Sequence, residues 1–129
     1  MHFTQIKETC LYSSNLVRAE EFYNQILGLE IIGKTAGRHV FFKAGTSVLL
    51  IFNPEATSIE TFVPPHDGYG RIHFAFEVSK EDYDNAKKEL ISKNVSIIHE
   101  HTWKYGRSFY FHDPDGHVLE ILEGNAIWD

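Results

Sequence analysis

The run Ile72-His73-Phe74-Ala75-Phe76-Glu77-Val78 alternates with a period of two, so a strand there sets Phe74, Phe76 and Val78 on one face and His73, Ala75 and Glu77 on the other. The aromatic face is the one that packs on helices, which leaves His73 looking into open space. The run Val118-Leu119-Glu120-Ile121-Leu122 repeats the pattern: Leu119 and Ile121 go with the core, and Glu120 joins His73 on the inner surface. A third run puts Glu8, Cys10 and Tyr12 together opposite Thr9 and Leu11, and its mixed pattern leaves open which face is buried. Imidazole and carboxylate are the side chains that transfer protons and hold divalent cations. Taken singly, each is more often an inert group on the wetted face of an antiparallel sheet.

The elements that must carry these residues recur in order along the chain. Residues 5–12 read as a strand, followed by Ser14 and Asn15 as helix caps and by Ala19, Phe22, Tyr23, Ile26 and Leu27 at helical spacing, with Gly28 as the stop. Three β-rich runs follow, near 29–34, 38–43 and 47–53. Residues 54–70 carry Pro54, Pro64, Pro65, Gly68 and Gly70 and read as a connector rather than a strand or helix. The plan then repeats: a strand at 71–78, a helix capped by Ser79 with Tyr83, Ala86, Leu90 and Ile91 on one face, and strands near 95–100, 106–112 and 117–123. The expectation is an α+β fold of two tandem βαβββ modules, about 4–53 and about 71–124, within a single domain spanning 1–129. Their twisted mixed sheets curl toward a concave site.

Composition narrows the function classes. The chain has 129 residues, enough for one core, and is 43% hydrophobic and 23% charged, which is ordinary for a globular protein. Its formal charge of -6 disfavours nucleic acid as a partner. No apolar run approaches the roughly 18 residues that span a bilayer, so no membrane partner is expected. The single cysteine, Cys10, suits a reducing, cytoplasmic setting.

Three segments carry a family resemblance over nearly the whole length. They are Asn15-Leu16 with Phe22-Tyr23 and Leu27-Gly28-Leu29; Ile72-His73-Phe74-Ala75-Phe76; and Gly106-Arg107-Ser108-Phe109-Tyr110-Phe111 followed by Asp113-Pro114-Asp115-Gly116-His117-Val118-Leu119-Glu120. The last is the most specific. The chain resembles the vicinal-oxygen-chelate superfamily of glyoxalases, fosfomycin-resistance and bleomycin-resistance proteins and extradiol dioxygenases.

By position, that resemblance implies Glu8, His73 and Glu120 as ligands of a divalent metal ion, whether Mn, Fe, Zn, Ni or Mg, with Glu8 and Glu120 as catalytic groups. Where glyoxalases have a fourth ligand this chain has Leu50, which cannot coordinate. Two carboxylates and one imidazole neutralise a divalent ion and make it a weaker Lewis acid than a set with one carboxylate. Trp103, Lys104 and Arg107, with Tyr105, read as a cationic and aromatic loop suited to an anionic substrate, which Arg107 can grip with two hydrogen bonds; Cys10, Ser108 and Tyr110 are expected to border the substrate on the inner face. Cys10 stands where fosfomycin-resistance proteins have threonine, and no arginine follows Glu120 in Ile121-Leu122-Glu123-Gly124-Asn125. The other histidines, among them His39, His66, His99, His101 and His112, show no competing ligand spacing, while His117 is expected to complete the turn. The implied activity is lyase or isomerase chemistry, or thiol transfer to an epoxide, on a small oxygenated substrate with a possible thiol co-substrate, in a homodimer. The alternative is a metal-free protein that sequesters a drug or metabolite.

Overall fold

The computed structural model describes residues 1–128. They fall into two compact units, one running from Met1 to Gly70 and the other from Arg71 onward. Both units build one four-stranded mixed sheet with helix on one side, which is the repeated βαβββ order expected.

In the first unit β1 (Glu8–Tyr12) leads to α1 (Leu16–Glu20), then β2 (Glu30–Thr35), β3 (His39–Ala44) and β4 (Ser47–Phe52), with sheet order β1-β4-β3-β2. β1 runs parallel to β4, and the other pairs are antiparallel. Asn15 alone caps α1: its Oδ1 accepts from the Arg18 amide at 3.1 Å, satisfying a donor the helix cannot. Beyond Glu20 the helix widens into a π-helical turn over Glu21–Ile26, which buries the adjacent Phe22 and Tyr23 together. Gly28, at φ +75, takes the left-handed conformation that ends it. Ala19, Phe22 and Tyr23 meet Leu11, Val40, Phe42, Leu49 and Ile51 in the core, where each large side chain contributes about 1.5–3 kcal/mol on burial.

The stretch after β4 begins differently from the expected connector. Pro54–Thr57 forms a short helix, α2, because Asn53 Oδ1 accepts from the Glu55 amide at 3.1 Å and Pro54 occupies the first turn, where a missing N–H costs nothing. The chain then returns to the sheet. His66 Nδ1 lies 2.6 Å from the Tyr12 hydroxyl, and Arg38 Nε donates to Glu60 Oε2 at 2.8 Å. Gly68 passes so close to Tyr12 that a Cβ would stand 2.7 Å from the ring, which explains why no larger residue fits.

The second unit comprises β5 (His73–Val78), α3 (Lys80–Ser92), β6 (His99–Thr102), β7 (Arg107–His112) and β8 (Val118–Glu123), in sheet order β5-β8-β7-β6. Again the first and last strands are parallel, and the remaining pairs antiparallel. Ser79 Oγ accepts from the Asp82 amide to open α3, whose Tyr83 and Leu90 are buried. They cover Phe109, Phe111, Leu119 and Ile121 of the sheet. β6 is shorter and later than expected, since its pairing with β7 runs only from His99 to Thr102.

The β7–β8 turn is held by Asp113, whose Oδ1 accepts from the amides of Asp115 and His117, both at 2.9 Å. Gly116, at φ +84, supplies the left-handed step. His117 Nδ1 accepts from the Ile72 amide at 3.0 Å, so this histidine fixes the turn to the start of β5. No helix among the described residues is long and apolar enough to cross a membrane.

Candidate functional site

Strand register decides which side chains of the second unit share a face. His73, Ala75 and Glu77 of β5 align with Val118, Glu120 and Leu122 of β8. Those align with His112, Tyr110 and Ser108 of β7, and Tyr110 and Ser108 align in turn with His99 and His101 of β6. Partners across a ladder project to the same side. The opposite side carries Phe109, Phe111, Leu119 and Ile121 and is buried. His73, Glu120, Tyr110 and Ser108 therefore stand together on the open face, as their alternation implied.

The centre of that face is a histidine and a carboxylate. His73 Nε2 lies 3.3 Å from Glu120 Oε1. His73 Nδ1 lies 2.8 Å from the Val118 carbonyl oxygen, which can only accept, so Nδ1 carries a proton and donates it. A neutral imidazole then presents its Nε2 lone pair to the carboxylate, and a proton or a cation is needed between them. Glu120 is 4% exposed, and its Oε2 is buried without a hydrogen-bond partner. An ionised carboxylate in that state is costly unless a positive charge joins it.

These observations fit a divalent cation. Two ligand atoms 3.3 Å apart lie within the span of two bonds of about 2.1 Å to one ion. The Nδ1–H to carbonyl bond is the arrangement that orients a ligating histidine. Imidazole and carboxylate together suit intermediate and hard divalent ions. Among the described residues no three His, Cys, Asp or Glu side chains converge as a complete metal site.

Tyr110 lies beside this pair, its ring 6.1 Å from that of His73 at 27°. Burial pushes its phenol above the ordinary value, a hydrogen bond with Ser108 opposes the shift, and one with Glu120 adds to it. The hydroxyl thus keeps its proton near neutrality and can donate. Ser108 is fully buried, and its Oγ accepts from Trp103 Nε1 at 2.7 Å. This bond pins the indole over the open face. We expect Ser108→Ala to leave the indole N–H unpaired and cost about 1 kcal/mol, with a shift in tryptophan emission; an unmoved spectrum would show that the bond does not hold Trp103.

Arg107 and Lys104 stand elsewhere. Arg107 alternates to the helix side, where Nη2 donates to Glu123 Oε1 at 2.9 Å, Nε to Glu123 Oε2 at 3.1 Å and Nη1 to Asp84 Oδ1 at 3.2 Å. Its guanidinium also lies over the Tyr83 ring at 4.5 Å. The fork expected for a substrate anion is occupied by carboxylates of the fold. Lys104 Nζ sits over Tyr105 at 5.0 Å.

Glu8 and Cys10 belong to the first unit. Glu8 is exposed at the start of β1, paired with Val48, and Cys10 two residues on is half-buried beside Leu50. Burial pushes the Cys10 thiol up, a hydrogen bond with Tyr12 lowers it, and the Glu8 charge raises it again. Tyr12 is pushed up to about 12, by burial first and then by Cys10. Cys10 is thus a thiol rather than an activated thiolate near neutrality.

Sequence reasoning set aside His99 and His101. Both stand on the open face, on exposed β6. The alternation of His99, His101 and Trp103 is the signal for this, and it falls on a strand that begins at His99 rather than at the expected 95.

Comparison with known proteins gives a consistent picture. The sequence model of the Glyoxalase/Bleomycin resistance protein/Dioxygenase superfamily matches residues 5–121. Glutathione transferase FosA of Serratia marcescens is 31% identical over 116 residues, covering 87% of this chain and 75% of that protein. Metallothiol transferase FosB of Lysinibacillus sphaericus (strain C3-41) is 27% identical over 114 residues, covering 86% and 76%. Among solved structures, lactoylglutathione lyase from Agrobacterium tumefaciens is 36% identical with a TM-score of 0.90, covering 96% of each chain.

Proposed function

We propose, from the premise that this chain belongs to the Glyoxalase/Bleomycin resistance protein/Dioxygenase superfamily, that it is a divalent-metal-dependent enzyme acting on a small oxygenated substrate. The chemistry is glyoxalase-like lyase or isomerase conversion, or transfer of a thiol to an epoxide. The observation that carries this reading is the His73–Glu120 pair, in which an imidazole lone pair and a buried carboxylate with an unpartnered oxygen face one gap.

His73 and Glu120 would hold the ion, with Glu8 as the third ligand from the first unit or from a second copy of the chain in a homodimer. Mn, Fe, Zn, Ni and Mg are all compatible with two carboxylates and one imidazole. When bound, the ion would polarise a substrate oxygen and stabilise negative charge developing on it.

The chain's own groups account for the rest. The Val118 carbonyl holds His73 in the tautomer that leaves Nε2 free. The protonated Tyr110 hydroxyl donates to a substrate oxygen or to Glu120. Glu8 is the candidate base that removes a proton from carbon or from an incoming thiol. In thiol transfer the sulfur forms a bond to carbon as the epoxide C–O bond breaks, and the proton lost by sulfur ends on the new hydroxyl. Cys10, Ser108 and Trp103 would border the substrate, whereas Lys104 sits over Tyr105 and Arg107 acts through the fold.

The half-exposed rings on the open face favour a second reading, metal-free sequestration of a drug or metabolite. Metal content separates the two. Protein purified without chelator is expected to carry close to one equivalent of a divalent metal by elemental analysis. A metal-free protein that also fails to take up Mn²⁺ on dialysis would overturn the enzymatic reading.

A further inference from the structure

β6 is the edge strand of the second sheet, at the opposite end of the strand order from β5, and it carries two histidines two residues apart. The period of two sends His99 and His101 to one side of the sheet. Glu100 between them turns to the helix side, where its Oε2 accepts from the Tyr83 hydroxyl at 2.8 Å and from Lys87 Nζ at 2.6 Å. The two imidazoles stand 6.0 Å apart between ring centres and are inclined at only 28°. Both residues are exposed, and among the described residues neither ring has a hydrogen-bond partner. The spacing becomes a ligand spacing because β6 begins at His99, so that both rings belong to one strand.

The geometry suits a shared cation. An ion bound by two imidazole nitrogens at about 2.1 Å each holds the ring centres no more than about 6.4 Å apart, and exposed side chains can turn to close the remaining angle. Charge agrees with this. No lysine or arginine stands among the strand positions that share this face by register, while Glu77 and Glu120 do. Arg107 is turned to the other side by its bonds to Glu123, so an incoming cation meets no fixed positive charge on the strands. No third His, Cys, Asp or Glu converges here among the described residues, which leaves the other coordination positions to water.

We propose that His99 and His101 form a metal site of their own, a two-histidine chelate for a borderline divalent ion of the Cu²⁺, Ni²⁺ or Zn²⁺ class. A ligand set of imidazole without carboxylate selects these ions over Mn²⁺ and Mg²⁺. The site is separate from His73 and Glu120, because β7 and β8 lie between β6 and β5 and the Tyr110 ring stands between the two groups, 5.7 Å from His99 and 6.1 Å from His73. It therefore stands whether or not His73 and Glu120 hold an ion.

Trp103 supplies the readout. Its ring lies 4.3 Å from that of His101, and its indole N–H is held by Ser108 Oγ at 2.7 Å, so a paramagnetic ion on His101 quenches its emission. Chelator-stripped full-length protein is titrated with Ni²⁺ and, separately, with Mn²⁺. Ni²⁺ is expected to quench the wild type at a concentration at least about tenfold below that needed for Mn²⁺, the order of affinity that nitrogen ligands impose. His99→Ala and His101→Ala should each raise the half-saturating Ni²⁺ concentration at least about tenfold, because each leaves a single ligand. His99→Gln and His101→Gln replace any Ala variant that melts early. Glu120→Leu should leave the Ni²⁺ curve unchanged. Trp103→Phe should lose the quench and still bind Ni²⁺ in equilibrium dialysis, giving up one equivalent when His101 is also replaced. A quench unmoved by both histidine variants, abolished by Glu120→Leu, equal for Mn²⁺, or persisting in Trp103→Phe would overturn the site.

Discussion

Glu120→Leu is expected to lose Mn²⁺ affinity by at least about 100-fold while its metal-free form melts higher than the metal-free wild type. Both effects come from one carboxylate. Its Oε1 faces His73 Nε2 at 3.3 Å, and its Oε2 is buried with no partner. Without a cation the group carries the desolvation cost of an unsatisfied oxygen, about 1–3 kcal/mol, and leucine of similar volume removes that cost. In the proposed site the same oxygens would become ligands of the cation. Losing a direct ligand should exceed the 10–100-fold typical of an outer-shell partner.

His73→Ala is the companion. Its side chain is 52% exposed, so the melting temperature should barely move while Mn²⁺ binding falls by a comparable factor. Isothermal titration and melts on chelator-stripped protein report both quantities. A Glu120→Leu variant that melts lower and binds Mn²⁺ within threefold of the wild type would make Glu120 a structural residue.

Arg107→Ala is expected to destabilise the protein by about 2–3 kcal/mol, with no direct effect on the chelating pair. Removing it strips the Glu123 carboxylate, whose side chain is 11% exposed, of a two-pronged partner, and uncovers the Tyr83 ring. Breaking a fully buried pair costs about 3–5 kcal/mol; Arg107 is 35% exposed, and solvent screening lowers the figure. The double variant Arg107→Met with Glu123→Leu should recover most of the loss, since neither charge is then left alone.

The same pair predicts a pH dependence of stated sign. Arg107 holds the Glu123 carboxyl below its usual range, chiefly through their hydrogen bonds, so the folded state releases that proton more readily than the unfolded state. The resulting stability is present above the unfolded value of about 4.3 and is lost as pH falls through the lower folded value. The difference in unfolding free energy between wild type and Arg107→Ala should therefore narrow below about pH 4. A constant difference from pH 7 to pH 3 in urea titrations would show that packing on Tyr83, rather than charge, is what Arg107 supplies.

Much of this architecture is readable from period alone. Alternation in 72–78 and 118–122 is marked because one face carries the apolar side chains, and a slip of one residue would turn the buried Leu119 and Ile121 away from the core. That is why His73 and Glu120 could be placed together. The short strand His99–Thr102 was harder, because all four of its residues are exposed and no buried face marks its register. Pro54 is a breaker by residue type, yet the Asn53 cap makes it a helix start. Arg107 illustrates a different failure: its type and loop position suit an anion, yet alternation beside Ser108 turns it to Glu123, a partner three-dimensional pairing alone reveals.

In each unit the final strand of the ladder enters between the first and the third, β4 between β1 and β3, and β8 between β5 and β7. During synthesis β5 therefore waits for its neighbour through the whole of α3, β6 and β7, and the sheet cannot close until residues 118–123 have emerged. Glu120 rides on that late arrival, and the Val118 carbonyl that orients His73 arrives with it. A nascent second unit that lacks β8 consequently presents His73 without its orienting carbonyl and without Glu120, so the pair itself is assembled only when the sheet is finished. An ion held by the proposed site would therefore bind only molecules whose last strand has seated in register.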